Sequence, residues 1–181
     1  MEFNKQSGEE FVALMGQRRS HPRLEEPAPD EALLHKIFTA SLRAPDHMHL
    51  RPWRFLTIAG SDRQLLGNLF AKDLISKNPE ANSTALDAAV NKAFRAPLIV
   101  VGVASYKDND RVPKIEQAVA AAGVLQNMGM AVYVSGFGSV WRTGPYASSA
   151  VVKEGLGVKN HEEIMGYLYV GTPSKGDRPL K

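Results

Sequence analysis

Residues 96–105, "APLIVVGVAS", are ten in a row without a charged side chain, and they constrain the fold more than any other stretch. Alternate side chains of a strand point to opposite faces, so a strand that is apolar throughout has to be packed on both sides. The chain therefore needs a sheet with a central member and helices above and below it. Residues 113–135, "PKIEQAVAAAGVLQNMGMAVYVS", supply one cover: they are rich in Ala and Met and apolar on nearly every side, as in the central helix of a domain. With 181 residues the chain is long enough to bury one such core. No repeat, low-complexity tract or composition shift divides it, so residues 1–181 are expected to form a single domain.

The other elements follow from periodicity and capping. "WRFLTIAG" alternates and is rich in β-formers, which predicts a strand from Trp53 to Ile58, while "FGSVWRTG" and "IMGYLYVG" predict two more. Ser7 and Glu10 stand at capping-box spacing before Phe11, Val12, Leu14 and Met15, so a first helix is expected from Ser7 to about Arg18. "SHPRLEEPAP" contains three prolines and reads as an extended connection. Asp30 caps a second helix whose Leu33, Leu34, Ile37, Phe38 and Leu42 form one stripe, and Pro45 stops it. Residues 62–73 and 83–94 predict two helices separated by the polar loop "SKNPEANS", and "SSAVVKEGLG" predicts a last one capped by Ser148 or Ser149. The sum is four strands and six helices, an α+β chain.

Composition excludes several kinds of chemistry. There are no cysteines, which removes disulfides, thiolate metal sites and thiol nucleophiles and fits a reducing compartment, so a cytoplasmic location is expected. "MEFNKQSGEE" lacks the basic start and apolar run of a signal peptide, and no segment reaches the roughly 18 apolar residues of a membrane span. Asp46, His47 and His49 have metal-ligand side chains, but no HExxH or distant cluster completes a shell, and no metal is expected. Gly136 and Gly138 follow a helix and precede a strand, the reverse of a dinucleotide fingerprint, and are better read as capping and close packing. The serines lack a nucleophile elbow or an oriented base, so no side-chain nucleophile is expected.

Net charge is only +3, yet six arginines fall within residues 18–54. Nineteen acidic residues nearly balance twenty-two basic ones, and the arginines sit at element ends rather than along one stripe, which disfavours nucleic acid. A small phosphorylated ligand suits them better. Arg18, Arg19 and Ser20, at the end of the first helix, combine planar guanidinium forks with a hydroxyl and make a compact anion clamp; the competing reading is a solvated basic helix terminus.

Four segments in order, "QRRSHPRLEEPAP", "LRAPDHMHLRPWRF", "FRAPLIVVGVA" and "GFGSVWRTGPY", resemble the nitroreductase family of FMN-dependent oxidoreductases, most of all its short bacterial NAD(P)H nitroreductase subgroup. The resemblance runs the length of the chain. It implies a nitroreductase-like α+β fold with a central mixed sheet flanked by helices, in an intertwined homodimer that holds FMN at the subunit interface. It places Arg18, Arg19 and Ser20 on the FMN phosphate and ribityl chain, Trp141, Arg142 and Thr143 in a second FMN-binding segment, and Arg43 and His47 as contacts made from the partner chain. The implied reaction is ping-pong reduction of a nitroaromatic, quinone or similar small acceptor by NADH or NADPH. The flavin carries the chemistry and the protein orients and tunes it.

Two departures stand out. Pro22 occupies a position where relatives often carry a basic residue, with Arg23 as a substitute, and Met48, His49, Leu50 and Arg51 replace the small polar residues that usually precede Pro-Trp. Flavin-ring contacts and substrate selection are the properties these changes touch. A specialised flavin reaction on the same fold, or flavin binding without efficient turnover, are the alternatives.

Overall fold

The computed structural model describes residues 4–174. At its centre β3 (Leu98–Ser105) is buried along its whole length. Ile99, Val101 and Val103 join one core with Leu66, Phe70 and Val152, and Leu98 and Val100 join a second with Ile37, Leu125, Met128 and Val132. The first face is covered by α3 (Asp62–Lys77) and α7 (Ala150–Gly155), the second by α2 (Glu31–Ser41) and α5 (Lys114–Val134). Gly102 lets α5 approach closely, since a Cβ there would overlap the Leu125 side chain. Among the described residues no helix is long and apolar enough to cross a membrane.

Four further strands complete the sheet: β1 (Leu24–Glu25), β2 (Trp53–Ala59), β4 (Gly138–Arg142) and β5 (Glu162–Pro173). The order is β1-β5-β3-β2, with β4 also paired to β5. The helix-flanked α+β sheet is present as expected. It differs from the mixed sheet expected in that every pairing among the described residues is antiparallel. The cause is the parity of the connections. Between β2 and β3 lie two helices, α3 and α4 (Ser83–Val90), and between β4 and β5 lie α6 (Pro145–Ser148) and α7, so each return strand runs opposite to the one before. A single helix, α5, joins β3 to β4. These two run the same way, and β5 lies between them, antiparallel to both.

Local chemistry explains most element limits. The Asp30 carboxylate accepts from Leu33 N–H at 2.8 Å, and the Ser149 hydroxyl, rather than that of Ser148, accepts from Val152 N–H at 3.1 Å. The first helix, α1 (Lys5–Gln17), starts earlier than expected, because Asn4 and not Ser7 caps it, accepting from Gln6 N–H at 3.0 Å. It has no buried residue, and Phe11, Val12, Leu14 and Met15 are exposed. The helix expected over 62–73 continues to Lys77, whose ammonium lies 2.8 Å from the Asp73 carboxylate one turn back. The one expected over 83–94 ends at Val90 and is followed by a 3-10 turn, Asn91–Phe94.

Strand β5 carries a bulge that matters for the site. Gly102 pairs with Gly166 and Val103 with Ile164, which leaves Met165 without a partner residue. Ile164 and Tyr167 consequently face the same core although an odd number of positions separates them. Gly166 has φ of 141°, and the Trp141 indole occupies the place of a Cβ there, donating from Nε1 to the Met165 carbonyl at 3.1 Å.

A bidentate ion pair ties β2 to the start of β5. Arg54 Nε and Nη2 donate to the Glu162 carboxylate at 2.8 and 2.7 Å, and Glu162 is 2% exposed. The Arg54 hydrogen bond holds the Glu162 carboxyl well below its ordinary 4.5, at about 2, against the opposing effect of burial. A carboxyl whose pKa is depressed on folding contributes stability that is complete above the unfolded value and is lost as pH falls towards the folded one. Stability should therefore decline between about pH 5 and pH 2. Glu162→Gln should flatten that part of the profile, read as urea midpoints at pH 7, 4 and 3; a variant with the wild-type acid slope would refute the assignment.

Candidate functional site

The site is organised around β4. His21 N–H donates to the Ser139 carbonyl at 2.9 Å, which brings the segment after α1 alongside the start of this strand. Gly138 makes the approach possible, because a Cβ there would meet the rings of His21 and Pro173 and the Leu24 side chain. Helix α1 ends as the Arg18 N–H donates to the Leu14 and Met15 carbonyls at 3.1 and 3.3 Å. Arg18 and Arg19 are half-buried and Ser20 is exposed.

Side chains alternate along β4. Trp141 packs into the core beside α5, and Val140 into the core beside α3. The Trp141 indole is thus spent on packing and on Met165, leaving its backbone for any ligand. Arg142 lies beside Tyr169, with its guanidinium carbon 5.9 Å from the ring centroid, and its Nε is buried without a hydrogen-bond partner. Beyond it the strand ends at exposed Thr143 and at Gly144, whose φ of 65° turns the chain into α6.

Arg142, Thr143 and Gly144 line a cavity of about 350 Å³ together with Lys92, Arg95, Phe70 and three tyrosines, Tyr146, Tyr167 and Tyr169. Tyr146 stacks on Phe70 at 4.0 Å, and its hydroxyl oxygen accepts from the Lys92 ammonium at 3.0 Å. The Tyr167 hydroxyl donates to the Tyr146 carbonyl at 3.1 Å. Burial pushes the Tyr167 and Tyr169 phenols up, so both stay neutral at pH 7; Arg95 and Arg142 partly offset the rise at Tyr169. Among the described residues no carboxylate lies within ion-pair distance of Lys92, Arg95 or Arg142. Sequence reasoning missed Lys92, Arg95 and the tyrosines. The available signal was two cations in "NKAFR" directly before the buried strand and tyrosines two apart in "YLYVG".

Arg43 and His47 stand elsewhere. Arg43 is exposed just beyond α2. His47 Nδ1 lies 2.9 Å from the Glu116 carboxylate near the start of α5, beside a hollow of about 270 Å³ lined by Pro45, Asp46, Ile115 and Val119. This hollow shares no residue with the β4 cavity. Within one chain the structure therefore gathers Arg142 and Thr143 at one place and His47 at another. Asp46 accepts from Arg51 N–H at 2.8 Å, and among the described residues no three His, Asp or Glu side chains could together hold a metal. Met48, His49 and Arg51 have φ of 59°, 53° and 48°. Among the described residues these are the non-glycine positions in the left-handed region, three within four positions, and they concentrate backbone strain here, which no composition rule announces.

Comparison with known proteins gives a consistent assignment. The Nitroreductase family model matches residues 15–172. The Escherichia coli K12 protein named "Putative NAD(P)H nitroreductase YdjA" is 40% identical over 162 residues, covering 90% of this chain and 87% of that protein. The crystal structure of a nitroreductase-like family protein from Bacillus cereus superposes with a TM-score of 0.83 at 19% identity, over 100% of this chain and 92% of that one. The structure of NfnB, described as an FMN and NADPH-dependent nitroreductase from sphigopyxis sp. strain HMH, superposes with 0.74 at 16% identity, over 92% and 90%. A family match of this extent, on a helix-flanked sheet whose one strand end carries an arginine with an unsatisfied Nε, leads to one conclusion: the chain belongs to the nitroreductase family.

Proposed function

We propose that this protein is an FMN-dependent oxidoreductase that uses NADH or NADPH to reduce a small aromatic or quinone-like acceptor, working as a cytoplasmic homodimer. The observation that carries the reading is the Arg142 Nε, buried without a partner at the exposed end of β4. An unsatisfied buried donor costs about 1–3 kcal/mol, a cost retained in a fold when a ligand supplies the acceptor. Relatives point the same way, since YdjA carries the name of an NAD(P)H nitroreductase and NfnB that of an FMN and NADPH-dependent one.

FMN, when bound, supplies reversible hydride chemistry. The residues of the chain hold and orient it. Arg18, Arg19 and Ser20 take the phosphate and ribityl chain, and Arg142 and Thr143, with the Trp141 backbone, hold the segment near the end of β4. His47, from the second hollow, and the exposed Arg43 reach the cofactor of the partner subunit, which explains why one chain keeps the two groups apart. The exposed apolar row of α1 and the exposed Ile115 and Val119 of α5 are the surfaces that a second copy would cover. Energetics favour this division. Retention at micromolar concentration takes about 8 kcal/mol, whereas charged hydrogen bonds contribute roughly 1.5–3 kcal/mol each before ordering costs. Burial of the planar ring system between subunits has to supply much of the remainder. Donor and acceptor then use one open face in turn, a ping-pong sequence.

Protein purified without added cofactor should be yellow, or become so with FMN, and anaerobic NADH or NADPH should bleach it without a second substrate. A colourless protein that cannot be reconstituted overturns the reading, and flavin that neither donor bleaches leaves a binder without turnover in its place. Arg18→Ala should weaken FMN retention at least about tenfold by the loss of one charged contact. Arg142→Met should do the same while stabilising the flavin-free protein by about 1 kcal/mol, because the orphaned donor is gone. Unchanged affinity together with an unchanged melting temperature would show that Arg142 has neither role.

A further inference from the structure

Lys92 and Arg95 are left without a task by the flavin reading. They come from the 3-10 turn before β3 and the residue that ends it, yet they line the same cavity as Arg142. Three cations in one hollow repel one another, and among the described residues no carboxylate lies within ion-pair distance of them; the nearby Asp73 is itself paired with Lys77. The phenols beside them are neutral at pH 7, as burial raises Tyr167 and Tyr169. The only polar partner of this trio among the described residues is the Tyr146 hydroxyl, 3.0 Å from Lys92 Nζ. The missing complement is an anion from outside. Its shape follows from the walls: a cavity of about 350 Å³ lies at the small end of the range for ligand pockets, about 300–1,000 Å³, and suits one ring better than a nucleotide. Aromatic side chains, Tyr146 over Phe70 and Tyr169 beside Arg142, offer flat apolar contact.

We propose that Lys92 and Arg95 bind the carboxylate of a planar aromatic acid whose ring lies against Tyr146 and Tyr169, and that this acid is the class of acceptor the protein selects. The word acceptor rests on the flavin reading; the binding of an aromatic carboxylate does not. Lys92 and Arg95 then discriminate by charge, since a neutral amide of the same shape leaves them uncompensated.

The test compares benzoate with benzamide, which are alike in shape and differ in charge, by calorimetry on the protein as purified, with kcat/KM for 4-nitrobenzoate and 4-nitrobenzamide alongside. Benzoate should bind at least about tenfold more tightly, a difference of about 1.4 kcal/mol. Arg95→Gln and Lys92→Gln should each abolish most of that preference in both binding and kcat/KM, and Arg95→Lys should restore part of it. Melting curves identify a variant that has merely unfolded, and Arg95, with no side-chain hydrogen-bond partner among the described residues, is the safer of the two. Equal affinity for benzoate and benzamide, or a preference that survives both variants, overturns the proposal. Inorganic phosphate competing as well as benzoate would overturn the aromatic part, and loss of FMN in step with loss of benzoate would reassign the cations to the cofactor. Failure of the flavin reading looks different: no bleaching by NADH or NADPH, with the calorimetric preference intact.

Discussion

The double burial of β3 is the constraint from which the rest of the structure follows. Its odd-numbered side chains complete the core under α3 and α7, and its even-numbered ones complete the core under α2 and α5. Because both cores meet on one strand, neither layer of helices can slide without opening the other. Ile99, Val100, Val101 and Ala104 are 0% exposed, and at roughly 25 cal/mol per Å² of apolar surface such positions dominate the favourable side of folding. Gly102 is the one concession in the middle, where the Leu125 side chain takes the room of a Cβ.

The candidate site depends on that frame through the bulge of β5. Without the extra residue at Met165, the register beyond Gly166 would shift by one, and Tyr167 and Tyr169 would turn towards α5. With it, both rings face the α3 layer, where Phe70, Tyr146 and Arg142 stand. The bulge is held from β4 by the Trp141 indole, whose Nε1 reaches the carbonyl of the extra residue at 3.1 Å. Trp141 and Arg142, adjacent in sequence, therefore act on opposite faces of one sheet. The first fixes the bulge that aims the tyrosines, and the second uses the wall they form.

What the sequence made readable was whatever rests on long periodic signals. The buried run 96–105, the helix over 113–135 and the Asp30-capped stripe are each repeated over enough residues to outvote local exceptions. Short elements gave no such signal: β1 is two residues long and α6 four, and each is held by partners distant in sequence. Strand direction depended on how many helices lie between neighbours, and α6 was not visible. Within the proposed site, the arginines and serine after α1 stood out by residue type, whereas the end of β4 was singled out only by the family resemblance. Lys92 and Arg95 were not, because nothing local distinguishes them from a solvated helix end until β3, β4 and β5 bring Arg142 and the tyrosines beside them.

Buried charge is treated in two ways in this molecule, and the contrast separates structure from function. Glu162 is matched by Nε and Nη2 of Arg54 and by Lys159 N–H. Asp73, 3% exposed, is matched by Lys77 and by the Ser149 hydroxyl. Each of these carboxylates ties together elements that have to stay in place, and each is satisfied within the fold, as an ion removed from water must be if it is not to destabilise the protein. Arg142 is equally well placed to be satisfied: a single Asp or Glu among the residues lining its cavity would pair it. None of them is acidic; the polar lining is cationic or phenolic apart from the Thr143 hydroxyl. A carboxylate there would stabilise the ligand-free chain and at the same time occupy the position that an incoming anion needs. The unpaired guanidinium is thus stability given up at one cavity while the same chemistry is fully paired elsewhere in the same fold, which is the pattern expected where a ligand completes the structure.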